Sequence, residues 1–501
     1  MRIRTTLLPA LLMGLALTAC VDTNVTDPNA PNSASFWSSQ QDAMQGIGAV
    51  YNGIEQNGVY GRWLSFPFDI RADDGQSFSP WTDLANWNKF SFSAYDFEPN
   101  HAVFYEHYAT IFRANQVIAN VPAIDMDAAL RSRIVGEAKF IRGLLYFNLI
   151  NAYGGANLPL QTEPSSISEP APAPGAAAVW AQIQTDLNDA IAVLPESYSG
   201  ADVGRATSGA AKGLLGKVLL QQKKWAEASA VLGPVIASGR YSLLPNYGDN
   251  FIASGNNNSE SLFEAQFGSR STLSQGVRGL NMGKFFGPCG GQSFCDGLPT
   301  TWFFEQFLQD STVDGHVDPR LDATLFYNAP GEMVYGEKFA DVYRNQLADP
   351  ARTDSVVYWK KYNAYYNAIQ DFDEPINFKV LRYADVLLMQ AEALNEQGQT
   401  AAAYPFINQV RARADLKPLP TGLTQAQMRD RILHERLLEL GLEQQRWLDL
   451  QRHDLLTAAN LPVLQSHDHE FNLFTVGKGE WLPIPTPEVN LNPNVNQNPG
   501  W

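Results

Sequence analysis

Basic residues are what this sequence has least of relative to need. Its 36 Lys and Arg face 52 Asp and Glu, a formal charge of −16, and the pI is near 4.9. Such a chain lacks the basic footprint that nucleic-acid phosphates require, and charge does not draw it to anionic lipid. Long apolar runs are missing too. The greasy stretch Leu7 to Leu17 falls short of the roughly 20 residues that cross a bilayer, and no second run approaches that length. Catalytic signatures are equally scarce. No GxSxG, P-loop or GxGxxG falls in a strand–turn–helix context, and His434-Glu435-Arg436 lacks the second histidine of an HExxH zinc protease. Cysteine is down to three residues, Cys20, Cys289 and Cys295.

The first cysteine is explained by what precedes it. Arg2 and Arg4 make a positive start, Leu7 to Leu17 a short apolar core, and small residues follow. That order is a secretory signal peptide. Leu17-Thr18-Ala19-Cys20 resembles the lipobox of bacterial lipoproteins, which implies that residues 1–19 are removed and that Cys20 is acylated as the mature N-terminus. Removal leaves 34 basic against 52 acidic residues, a formal charge of −18. Residues 20–36, rich in Asp, Asn, Thr and Pro, read as a flexible tether that cannot bury enough surface to order itself. The remaining pair, Cys289 and Cys295, sits in FGPCGGQSFCDGLP among turn formers. In an oxidising compartment two such cysteines are expected to form a disulfide; a zinc site would need four ligands, and no histidine pair lies nearby.

What fills the chain is helical periodicity, and the helices come in pairs. Ala211, Leu214, Leu215, Val218 and Leu219 recur at i, i+3, i+4, i+7, i+8; after QQKK, Trp225, Ala228, Val231, Leu232 and Val235 form a second stripe, and Gly239 stops it. Two amphipathic helices in about 30 residues resemble a tetratricopeptide unit. The design recurs with drift, giving pairs near 41–123, 131–194, 208–238 and 378–450, with Pro405 expected in a first turn and a last helix running through MRDRILHERLLELGLEQQRWLDL. Residues 62–99 and 241–375 break the pattern with Gly, Asn, aromatics and strand-like bits such as SLFEAQF and SVVYWKKYN. Long ordered loops on a rigid scaffold are where function collects.

Five stretches in fixed order then identify a relationship: EAKFIRGLLYFNLINAYGGANLPL, ATSGAAKGLLGKVLLQQKKWAEASAVLGPVIASGRYSLLPNYGDNF, PINFKVLRYADVLLMQAEALNEQGQ…INQVRARADL, RILHERLLELGLEQQRWLDLQRHDLL and EWLPIPTPEVNLNPNVNQNPGW. Behind a lipobox, they resemble the SusD/RagB family of outer-membrane nutrient-binding lipoproteins along nearly the whole mature chain. The resemblance implies a mainly α fold in which residues 37–501 form one domain. Tetratricopeptide-like helix pairs would form its right-handed superhelical scaffold, with long irregular loops and a few short β-strands. It implies anchoring to the outer membrane by lipid, and a partner, a SusC-like TonB-dependent transporter. It implies a glycan or other oligomeric nutrient as cargo, an oligosaccharide foremost, and no cofactor.

Candidate binding residues come from the loops. From Trp63 to Phe97, 35 residues hold ten aromatics where the chain-wide 11% predicts about four. Phe90, Phe92 and Phe97 stand near strand-like alternation and read as core. Trp81 and Trp87 lie among Ser, Pro, Thr, Asp and Asn, and offer either a stacking platform for sugar rings or packing; Arg71 and Asn88 would supply hydrogen-bond donors. In the family's glycan binders aromatics of the later irregular region join this loop, and Trp302 and Tyr327 are the candidates for that part. Asp73-Asp74 and the trio Asp371, Asp373, Glu374 leave a surface glycan hydrolase open as the alternative, and a non-binding repeat scaffold as another. His467-Asp468-His469-Glu470 reads as a polar loop more readily than as a metal site.

Overall fold

The computed structural model describes residues 36–501 apart from 93, 165–169, 270–277, 290–291, 343–356 and 369. Cys20, the leader and the tether up to residue 35 lie outside the described residues. The fold is mainly helical. Ser208–Gln221 packs on Trp225–Ala237, Ala128–Tyr153 on Ala176–Val193, Tyr383–Glu396 on Thr400–Arg413, and Gln40–Ile54 on Glu98–Asn120 across the aromatic insertion. The apolar stripes face inward: Ala211, Leu214, Leu215, Val218, Leu219, Ala228, Leu232 and Val235 are all buried. Small residues set how closely paired helices approach. A Cβ on Gly216 would stand 2.4 Å from Leu232 Cδ2. Gly154, at φ 71°, ends Ala128–Tyr153 in a conformation that L side chains avoid. Polar bonds lock pairs as well: Arg142 reaches Asp186 with Nε and Nη2, each 2.7 Å.

Three expectations differ. Pro405 lies in the second turn of Thr400–Arg413, since that helix starts at Thr400. The described residues from Phe90 to Phe97 form no strand; Phe90 sits at φ 50° and packs on Phe471 and Phe474, while Phe92 stacks on Phe97. The last helix is two, Gln425–Leu440 and Arg446–Arg452, because Leu442 and Gln444 take positive φ of 59° and 62°. The break has a physical cause. It frees the carbonyls of Glu439 and Gly441 to accept from the Lys361 ammonium, at 3.2 and 2.7 Å, and aims Glu443 at Lys361 and Arg382.

Those contacts belong to a buried ion network joining helices to loops. Arg382 binds Glu260, Glu439 and Glu443; Arg320 binds Asp318, Glu435 and Glu439; Arg411 binds Glu435 and Asp310. Charges out of water persist only when paired and hydrogen-bonded, so each end fixes the other. The strands among the described residues form four two-stranded antiparallel ladders: Gly75–Gln76 with Leu298–Pro299, Ser261–Ala265 with Phe378–Arg382, Leu325–Phe326 with Tyr358–Trp359, and Met333–Val334 with Glu337–Lys338. A small second core of Leu298, Phe326, Val334, Tyr335, Phe339 and Tyr358 lies under Cys289 and Cys295, which are placed as a disulfide with Cα atoms 5.0 Å apart.

Candidate functional site

Three of the six sequence candidates point inward, which corrects their reading as ligand contacts. Thr82–Asn88 is a short helix whose inner face is Leu84, Ala85, Trp87 and Asn88. Trp87 is 0% exposed, with Phe97, Phe92 and Phe66 around it at 5.4, 5.5 and 6.2 Å. Arg71 is equally hidden. Its guanidinium lies 4.2 Å over the Trp447 ring and donates to the Gly479 carbonyl. Asn88 is buried and donates to Asp468 Oδ2 at 2.7 Å. The polar residues flanking this helix conceal a seven-residue amphipathic turn too short for its periodicity to be read.

Trp81, Trp302 and Tyr327 remain at the surface, half-buried, and the structure does not gather them into one place. Tyr327 donates to Asp322 at 2.6 Å and rests on Phe304. Trp81 stands edge-on to Trp63, 5.7 Å away, on an aromatic ledge that continues through Phe285 to Phe294 and Phe372. The Arg62 guanidinium lies 3.3 Å from both the Trp63 and Phe285 rings, and the Lys284 ammonium lies over Phe294 and Phe372.

Trp302 lines a cleft of about 520 Å³ made from three distant segments. The first wall comes from the ladder Gly75–Gln76 with Leu298–Pro299 and the exposed Phe78 beyond it. Gly75 is required there, because a Cβ would meet the Asp69 carbonyl oxygen at 2.2 Å. The second wall is Thr301–Phe307, capped by Thr300, whose hydroxyl accepts from the Phe303 N–H and donates to the Asp73 carbonyl. That cap puts Trp302 and Glu305 on the cleft. The third wall is the end of Leu461–His467 and the loop to Glu470.

The Trp302 indole lies flat on the His467 imidazole, centroids 3.7 Å apart and planes 11° from parallel. His467 Nδ1 is 2.8 Å from Asp73 Oδ2, and Asp73 also takes a two-pronged bond from Arg446 at 2.7 and 2.8 Å. Burial alone would raise the Asp73 carboxyl, but the Arg446 charge and these bonds outweigh it and hold the group well below the usual carboxylate range. Asp468 goes the other way. Burial pushes it up to about 6, against the bonds it accepts from the Glu470 N–H and Asn88.

Asp73 is spent on its ion pair, Asp74 is wholly buried, and Glu374 accepts from Gln370 and from the Asp371 N–H. Among the described residues no group of three or more His, Cys, Asp or Glu is arranged for a metal ion. Sequence reasoning missed Phe78, Gln465 and His467 as cleft residues; the His-Asp-His-Glu run was the available signal, and only the fold shows that it meets Trp302.

Comparison with known proteins places the chain among relatives. A model described as the SusD family matches residues 259–501, and one described as starch-binding associating with outer membrane matches residues 29–220. A SusD-like protein P25 of Formosa agariphila is 28% identical over 92% of this chain and 91% of its own. A SusD superfamily crystal structure from Bacteroides vulgatus superposes with a TM-score of 0.82 at 25% identity, covering 93% of this chain and 100% of that one. A laminarin binding SusD-like protein superposes at 0.74 with 28% identity, again over 93% and 100%. No described helix is long and apolar enough to cross a membrane.

Proposed function

The chain belongs to the SusD/RagB family, and from that premise we propose that it captures an oligosaccharide at the cell surface and passes it, unconverted, to a SusC-like TonB-dependent transporter. Acylation of Cys20 would hold it on the outer membrane by lipid. The observation that carries the reading is the cleft itself. A half-buried Trp302, braced by His467, stands with Phe78 among the side chains of Gln76, Gln465 and Glu305. Indole and phenyl surfaces pack on the apolar faces of sugar rings, and amides and carboxylates take up hydroxyls around the edge. The laminarin-binding relative supports a glycan as cargo.

The test is titration of the mature protein with a panel of oligosaccharides, repeated for Trp302→Ala. Saturable binding that weakens in the variant supports the cleft. Affinity unchanged in Trp302→Ala but lost in Trp81→Ala or Phe294→Ala moves the site to the aromatic ledge. Shortened sugars in the incubation would favour a hydrolase instead, and no binding at all would favour a scaffold.

A further inference from the structure

We infer that the cleft admits uncharged oligosaccharides and turns away those carrying carboxylate or sulfate groups, an inference that rests on the cleft being the capture site. Glu305, Asp468 and Glu470 all line it beside His467 and His469, and no Lys or Arg does. The nearest guanidinium is that of Arg446, 5.8 Å from the Trp302 ring, and it is buried and engaged by both oxygens of Asp73. Two of its N–H groups are spent on Asp73, whose charge offsets its own. His467 is likewise turned to Asp73 and covered by the indole. An anionic sugar would therefore bring its charge beside like charges with no Lys or Arg on the wall to receive it, in a protein whose formal charge is already −16.

A neutral sugar meets the opposite situation. Hydroxyl groups are donors as well as acceptors, and carboxylates accept strongly, so Glu305 and Glu470 become partners rather than obstacles. Recognition of an acidic glycan would call for the fork of an unoccupied arginine, which this wall lacks. Exposed like charges act through water and are screened by salt, so the discrimination is strongest at low ionic strength.

The experiment compares three forms of one β-glucan oligosaccharide: the neutral sugar, the same sugar with its C6 hydroxyls oxidised to carboxylates, and the methyl ester of that acid. Calorimetric titration of the mature protein is run at low and at physiological salt. The neutral form and the ester should bind at least about tenfold tighter than the acid, with the gap narrowing in salt. The double variant Glu305→Gln, Glu470→Gln should gain affinity for the acid. Equal or tighter binding of the acid, or an unchanged gap in the double variant, overturns the inference. The capture reading fails separately: Trp302→Ala would leave binding of the neutral sugar untouched, or none of the three would bind while neutral manno- and xylo-oligosaccharides also fail. Binding of a neutral panel member alongside exclusion of polyguluronate and sulfated oligosaccharides supports the inference even if the β-glucan is not the cargo.

Discussion

Asn88 and Asp468 are 380 residues apart in sequence, and the amide of one donates to the carboxylate of the other at 2.7 Å. The bond ties the aromatic early loop to the third wall of the cleft, so a residue outside the cleft positions one that lines it. Replacing Asn88 with Ala leaves a buried carboxylate short of a donor. We expect a loss of about 1.5–3 kcal/mol in stability and a weaker grip on glycan, and Asn88→Asp should be worse because it sets two acids against each other. Denaturant melts beside titrations check both; unchanged affinity in a folded Asn88→Ala protein would separate this bond from the site.

Two tryptophans give opposite signatures. Trp302→Ala should weaken glycan binding by about 1–3 kcal/mol, a magnitude taken from base–aromatic stacking, with little change in melting temperature. Trp87→Ala should cost about 3–5 kcal/mol of stability, because a cavity replaces a packed ring. If Trp87→Ala melts like the wild type, the burial of that ring among Phe66, Phe92 and Phe97 is wrong.

Asp69 links stability to pH. Burial pushes its carboxyl up to about 8, although the Gln444 N–H donates to it at 2.8 Å. The unfolded chain releases that proton near pH 4 and the folded chain holds it to about 8, so this group erodes stability as pH rises through that window. Asp69→Asn keeps an acceptor for Gln444. It should exceed the wild type by on the order of 2–4 kcal/mol at pH 8 and show no gain at pH 4. Guanidinium unfolding at the two pH values decides; an equal gain at both would mean packing, not titration.

The small loop between Cys289 and Cys295 offers a redox test. Reduction, or Cys289→Ser, should lower stability by about 2–3 kcal/mol through the freed unfolded chain. Mass spectrometry of protein exported by its host should show two hydrogens fewer than after reductant. Free thiols in that material would remove the crosslink.

Cys20→Ser should abolish acylation and release the protein into soluble fractions; no described helix is long and apolar enough to cross a membrane. Lipid-fraction retention of this variant in cells lacking the transporter would point to another anchor.

Much of the scaffold was legible in sequence because a buried stripe such as Ala211–Leu219 repeats over several turns, long enough for period and partner to show. The site was less so. Trp302 could be named as a loop aromatic, but its stacking partner His467 lies 165 residues on, and no local pattern carries that distance. Trp87 and Arg71 misled for a related reason. Trp87 has polar neighbours and Arg71 is itself charged, yet one helical turn suffices to rotate an indole inward and one long side chain to carry a guanidinium onto the Trp447 ring. The break at Leu442 was hidden because its cause, the Lys361 and Arg382 charges, comes from another part of the chain.

The cleft draws its walls from residues 76–78, 300–305 and 465–470, while the ion pairs of Arg320 and Arg382 sit in the interior away from its lining. The walls lean on one another, through the ladder of Gly75–Gln76 with Leu298–Pro299, Thr300 on Asp73 and Asp73 on His467, while the helical framework beneath is held by ion pairs of its own. Such a protein is respecified by changing its three walls in concert over a constant framework. A library that varies these three stretches together is a direct route from one framework to many lectins.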